Sequence, residues 1–305
     1  MVSAGGCLAG PARNPGGRVA KPERTIEDII LQKDGRNIGA LRPHLPANYV
    51  EEAARLILDN PAKALIATGF HILSAGAPET DGPPGAVAIG NALKKLGFEI
   101  AYVTDIHSSK ALRAVAPRSQ RIIDFPVTGH RESSEFAFQV IKEESPTILI
   151  STERCGLTGD GTYRNMRGLD ISQFNAKIDH LFDLHPASVG IGDGGNEIGM
   201  GNLYKVIPNY EKLPKSPCVT TVKKLVIASV SNWGSYGLVA GLSLLAGKNL
   251  LPTVEQEMKW VENAVKAGAV DGFSGESKPY VDAFPPEVNS ICLRELHEFL
   301  DSRGI

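Results

Sequence analysis

The sequence predicts an α/β fold in three layers, α/β/α, built on a mostly parallel sheet. Short apolar runs alternate with helical stretches along most of the chain, the pattern of strands joined by crossover helices. The runs are apolar almost throughout rather than at every second position, as expected of strands covered on both faces.

Taken in order, residues 48–59 (NYVEEAARLILD) space their apolar side chains for a helix, and residues 63–68 (KALIAT) form the first strand, ending at Thr-Gly. Residues 84–96 open on Pro and Gly and stop at Gly97, the start and stop signals of a helix. Residues 99–104 (EIAYVT) make the next strand, closed by Asp105, before a helix at 108–116 and a strand at 121–127. A helix over 132–144 leads to a buried strand at 147–151 (TILIS). Residues 172–184 read as an amphipathic helix capped by Ser172. Strands at 187–192 (ASVGIG) and 224–230 (KLVIASV) follow, then helices at 237–245 and 254–266. Right-handed crossovers between such strands bring every carboxyl end to one edge, a Rossmann-like arrangement.

The 305 residues are 42% hydrophobic and 22% charged, enough apolar material for one large core. No Pro/Gly linker or internal repeat divides the chain, so residues 23–305 read as a single domain. Residues 1–22 are rich in Gly, Ala and Pro with no acid before Glu23, and read as a disordered tail. Lys and Arg total 32 against 34 Asp and Glu, which gives no bias towards nucleic acid or an anionic membrane. No apolar run reaches membrane-spanning length, so the expected partner is a small molecule, with a homo-oligomer left open. Cys7, Cys155, Cys218 and Cys292 form no CxxC pair, which argues against a disulfide framework and for a reducing, cytoplasmic setting. The chain lacks a P-loop, a G-x-G-x-x-G placed between a first strand and its helix, and a G-x-S-x-G elbow, so no nucleotide is expected.

Ligands of open α/β sheets bind beyond the carboxyl ends of the strands. Beyond Thr68 stand Glu79 and Asp81; beyond Thr104, Asp105; beyond Ser151, Glu153, Asp160, Asn165 and Arg167. Beyond Gly192 stand Asp193, Asn196 and Glu197, and beyond Val230, Ser231 and Asn232 in a loop SNWGSYG. Carboxylates gathered on one edge repel, and either a retained proton or a divalent cation resolves the conflict. An oxygen-only donor set suits Mg²⁺ or Mn²⁺. In the run Asp193-Gly194-Gly195 the glycines let backbone amides approach a ligand, and Asn196 with Glu197 is expected to open a helix whose N-terminus favours an anion. Gly85, after Pro83 and Pro84, is expected to serve likewise. His71 and His130 read as surface or core histidines, Cys155 as a small apolar residue and Trp233 as core packing.

ETDGPPGA (79–86), GDGTYRNMRG (159–168), GDGGNEIGMG (192–201) and SNWGSYG (231–237) together resemble the C-terminal domain of the D-glutamate cyclase family, in the same order, over about residues 24–280. The resemblance implies conversion of D-glutamate to 5-oxo-D-proline with loss of water, and brings in the mitochondrial matrix as the alternative compartment. It also implies a pocket lined by Glu79, Asp81, Asp160, Asn165, Asp193, Asn196 and Glu197. We assign Asp193, Glu197 and Asp160 as catalytic, and Arg167, Asn165, Asn196, Asn232 and Glu79 as substrate-binding. Asp193, Glu197, Asp81 and Glu153 are the expected ligands of the metal, which would act on the substrate's γ-carboxylate as a Lewis acid. The rival readings are a Mg²⁺/Mn²⁺-dependent phosphohydrolase and a non-catalytic small-molecule-binding domain.

Overall fold

The structure, a computed structural model, describes Met1 and residues 24–305; apart from Met1, the tail expected at residues 1–22 lies outside the described residues. Helices α1 (Ile26–Ile30) and α2 (Tyr49–Leu58) precede strand β1 (Lys63–Thr68). A short hairpin follows, β2 (His71–Ile72) and β3 (Ala77–Pro78), before α3 (Pro83–Lys95), β4 (Glu99–Thr104), α4 (Ser109–Val115) and β5 (Arg121–Asp124). The second half runs α5 (His130–Glu144), β6 (Ile148–Thr152), α6 (Asp179–Asp183), β7 (Ser188–Gly192), β8 (Lys224–Ile227), α7 (Ser231–Ala246), α8 (Val254–Lys266) and α9 (Pro286–Asp301).

The main sheet has six parallel strands in the order β5-β4-β1-β6-β7-β8. This is the doubly wound order: the chain steps outwards from β1 to β5, returns through α5 to the other side of β1, and steps outwards again. Right-handed crossovers put α3 and α4 on one face, and the reversal puts α5 and α6 on the other. Their packing agrees, since α3 lies against α4 and α7, and α5 against α6. The expected three-layer α/β/α fold is thus present. One cluster of buried apolar side chains runs from Ile26 on α1 to Leu300 on α9.

Helix α7 starts six residues earlier than the sequence suggested, so SNWGSYG is its first two turns rather than a loop. Its glycines lie where neighbours press close. A Cβ on Gly234 would stand 2.6 Å from Ile191 of β7, and one on Gly237 would stand 2.7 Å from Ile30 of α1. The glycines signal a helix driven against the sheet, and Trp233 is core, stacked on Phe284 and donating from its indole nitrogen to Asn289.

The helix expected over 172–184 is broken. Residues Ser172–Phe174 form a single 3-10 turn, and α6 begins only at Asp179. Between them the backbone of Ala176 is claimed from outside: its N–H donates to Asp105 Oδ2 at 3.2 Å and its carbonyl accepts from Arg154 at 2.8 Å. Those two groups form a buried ion pair at 2.6 Å that ties the end of β4 to the end of β6. Ser172 does not cap a helix either, because its hydroxyl accepts from the N–H of Tyr163. Helices α1 and α9, at the two ends of the described region, were not foreseen.

Candidate active site

The switch point of a doubly wound sheet lies where strand order reverses, here between β1 and β6, and loops on either side diverge to leave a crevice. Pairing brings Thr68 level with Thr152 and Thr152 level with Ile191. Glu153 therefore stands one residue past the last rung, and Asp193 two residues past Ile191. From β1 the chain reaches the crevice later, through the β2–β3 hairpin and the residues after it, Glu79 and Asp81. Glu153 holds φ at +44°, a left-handed backbone that costs a non-glycine residue energy and persists only where surroundings impose it. Here the next residue, Arg154, is pinned by Asp105 and by the carbonyls of Gly69 and Ala176. Gly82, at φ +97°, lets the chain turn close to Thr68 and Glu153 before entering α3.

The crevice is a cavity of about 440 Å³. Glu79, Glu153, Asp193, Glu197 and Asp282 line it with Arg36, while Arg167 and Lys212 also contribute. Behind this lining Asp81 completes a triad with Glu153 and Asp193, one oxygen from each lying within 4.8 Å of the others. All three side chains are buried.

Each carboxylate is held. Asp81 accepts from the N–H groups of Ser231 (2.9 Å), Asn232 (2.7 Å) and Gly82 (2.9 Å). Asp193 Oδ2 shares the Ser231 N–H at 3.0 Å, and its Oδ1 meets Arg36 at 3.0 Å. Both acids thus sit at the N-terminus of α7, where the helix dipole favours negative charge. Arg36 also grips Asp282 through both terminal nitrogens, at 2.7 and 2.8 Å.

Oxygens 4.8 Å apart repel by roughly 3 kcal/mol per pair at an effective dielectric near 20, which one guanidinium does not offset for three acids. Burial accordingly pushes Glu79, Glu153 and Asp193 well above the usual carboxylate range, reinforced by Asp282 at Glu79 and by Asp193 at Glu153. Asp81 is pushed up to about 7 by burial and the charge of Asp282, against the helix N–H groups that favour its ionised form. Burial alone would weaken the charge on Arg36, but Asp193 and Asp282 outweigh it and keep the guanidinium protonated. Two carboxylate oxygens, Glu79 Oε1 and Glu153 Oε2, are buried with no hydrogen-bond partner among the described residues. That donor set, oxygen-only and short of positive charge, fits a hard divalent cation.

Other expected site residues are placed differently. Asn196 and Glu197 do not open a helix. Instead Glu197 folds back on its own loop, accepting from the N–H groups of Asp193 (3.2 Å), Gly194 (2.6 Å) and Gly195 (2.8 Å). The amides expected to meet a ligand anion are thus occupied by the chain's own anion. Gly85 is occupied in the same way, since its N–H and that of Gly82 donate to Asn232 Oδ1 at 2.8 and 3.0 Å. Asn232, fully buried, is therefore a tie between α7 and the start of α3, behind the cavity rather than in it. Asp160 is exposed, outside the cavity lining, and bound to Thr158, Thr162 and Arg164. Asn165 and Asn196 do line the cavity, yet Asn165 Oδ1 closes a turn onto the N–H groups of Arg167 and Leu169, and Asn196 Nδ2 donates to the Arg164 carbonyl. Burial pushes the Cys155 thiol well up, which leaves it an unreactive packing residue among Phe70, Tyr163 and Ile171.

Arg36, Asp282 and Lys212 were missed. None stands directly at the end of a strand: Arg36 precedes β1, Lys212 lies twenty residues past β7 in the long β7–β8 connection, and Asp282 belongs to the segment after α8. That segment folds over the cavity and contributes Gly272, Phe273 and Asp282 to its wall.

Fold and site together define a doubly wound α/β protein with a buried acidic cluster at its switch point. The family model described as D-glutamate cyclase-like, C-terminal, matches residues 26–297, and the chain belongs to that family. It is also similar to a human protein named "D-glutamate cyclase, mitochondrial", 30% identical over an alignment of 305 positions that covers 86% of this chain and 49% of the relative. The chain spans about half the length of that relative. No helix among the described residues is long and apolar enough to cross a membrane.

Proposed function

We propose that this chain cyclises D-glutamate to 5-oxo-D-proline and water. The observation that carries the reading is the two-signed cavity: a buried acidic cluster at its base, with Arg167 and Lys212 also in its lining. An amino dicarboxylate needs such a site, with cations for its free α-carboxylate and a charge-compensating centre for the carboxylate that reacts. Family membership and the name of the human relative support the same choice.

Asp81, Glu153 and Asp193 are the side chains that would hold Mg²⁺ or Mn²⁺, and the unpartnered oxygen of Glu153 favours such a ligand. When bound, the ion would neutralise the cluster and polarise the γ-carboxylate as a Lewis acid. Arg36 restrains Asp193 and Asp282 and keeps them from moving apart under their own repulsion. Arg167, whose guanidinium has no hydrogen bond among the described residues, is free to take the α-carboxylate in a bidentate pair. Holding both ends of the flexible substrate in a folded shape brings the amine within reach of the γ-carbon, which lowers the entropic part of the barrier. In this scheme Glu197 shapes the Asp193 loop and takes no part in bond making, and Asp160 lies outside the reaction.

The test is product identity. Purified chain incubated with D-glutamate and Mn²⁺ should release 5-oxoproline, detected by chromatography, and should leave simple phosphate esters intact. Phosphate release without 5-oxoproline would favour a phosphohydrolase; binding without turnover of either would favour a non-catalytic domain.

A further inference from the structure

His71 stands at the start of the β2–β3 hairpin, paired with Pro78 and one residue from Phe70, whose carbonyl accepts from the N–H of Glu79. It lines the same cavity as the acidic cluster and is only 6% exposed. Its ring is locked in orientation: it stacks on Phe174 with centroids 4.5 Å apart and meets the edge of His107 at 5.2 Å. Yet both ring nitrogens are buried with no hydrogen-bond partner among the described residues. A neutral imidazole always carries one N–H donor and one acceptor, and burying both unmade forfeits their hydration with nothing in return. A histidine kept only for packing would be replaced at no loss by an apolar ring of the same shape. An oriented, unpartnered imidazole in a ligand cavity is accounted for by a partner that arrives with the substrate.

We infer that His71 is a catalytic residue of the cyclisation proposed above, taking protons from the substrate's amino group and returning them to the departing oxygen. The inference rests on that reading of the cavity. Ring closure forms one C–N bond and breaks one C–O bond. The α-ammonium of glutamate loses two protons on becoming an amide N–H, and the γ-carboxylate oxygen leaves with two protons as water. His71 accepts the first from the ammonium, freeing the lone pair that attacks the γ-carbon. It hands that proton to an oxygen of the tetrahedral adduct, then repeats the transfer with the second and ends neutral. No outside acid, base or co-reactant is consumed.

The groups that set its charge are few. His107 and Asp105 act from the segment after β4, Phe174 carries no charge, and the acids Glu79, Glu153, Asp193, Glu197 and Asp282 share the cavity with Arg36, Arg167 and Lys212. Burial, aided by His107, holds the His71 imidazole below its ordinary value, so it is neutral and able to accept at neutral pH.

The experiment compares pH profiles of 5-oxoproline formation by wild type, His71→Gln and His71→Ala, with unfolding temperature recorded for each. Wild type should lose kcat/KM as pH falls, on a limb below the ordinary histidine value. Both variants should lose kcat by about 10²–10⁴-fold with KM changed only a few-fold, and should lose that limb. Added imidazole should restore part of the rate of His71→Ala. Variants within about threefold of wild type in kcat, or an acidic limb that persists unchanged in them at saturating Mn²⁺, would overturn the role. Should the variants unfold, wild type decides alone, since a flat profile on the acid side also overturns it. A wild-type chain that makes no 5-oxoproline at any pH removes the cyclase reading itself, an outcome separate from the failure of His71.

Discussion

Asp193 and Glu197 lie four residues apart in one loop and do opposite work. Asp193 faces Arg36 and the acidic triad, whereas Glu197 spends both oxygens on three backbone N–H groups of the loop. Asp193→Asn should therefore abolish turnover while the unfolding temperature stays within a few degrees of wild type; near-normal turnover would show that the reacting centre lies elsewhere. Glu197→Gln should behave in reverse. A neutral amide accepts more weakly and turns an N–H towards N–H donors, so stability should fall by about 2–3 kcal/mol in denaturant unfolding. The acids were legible because each follows a strand, and strand ends converge. Their division of labour was not, because a carboxylate that caps its own loop and one that awaits a ligand look alike in a Gly-rich motif. Arg36 and Asp282 left no signal, since they reach the cavity through tertiary packing alone.

Among the elements, α7 does most to position the site: its first N–H groups hold Asp81 and Asp193, and its small residues let it lie against β7 and α1. Gly234→Ala adds a methyl 2.6 Å from Ile191, and the helix must shift to admit it. A loss of about 1–3 kcal/mol in stability is expected, with activity falling more than stability alone explains because the Asp81 contacts move too. The far side of α7 meets α8 and α9 through a buried network in which Asn289 and Tyr236 both donate to Glu257 Oε1. Burial pushes Glu257 up to about 7. Because that folded-state value exceeds the unfolded one, the carboxyl favours folding when protonated, and the benefit fades as pH rises from the ordinary glutamate range through about 7. Glu257→Gln should thus raise the unfolding free energy in denaturant more at pH 8 than at pH 5, by up to the order of 3 kcal/mol. A difference that does not change with pH would contradict this. The periodicity of SNWGSYG concealed the start of α7, since glycines chosen for close packing mimic those of a loop. The break before α6 was hidden for another reason: the Asp105–Arg154 pair takes over the Ala176 backbone from distant parts of the chain.

Across the whole molecule, alternating apolar runs and helices were enough to read the three-layer architecture, because parallel strands admit few connections. The edge that carries the site followed from the same rule. What the alternation left out was the closing segment after α8, which covers the cavity and supplies Asp282. The completed picture is a doubly wound sheet whose switch point holds more buried negative charge than its own cations balance, and which is completed by what binds there. The measurement closest to that claim is 5-oxoproline formation from D-glutamate by the purified chain, before chelation, after it, and with Mn²⁺ restored. The account predicts product that disappears on chelation and returns with the metal. Absence of 5-oxoproline under every metal condition from a folded chain would contradict it.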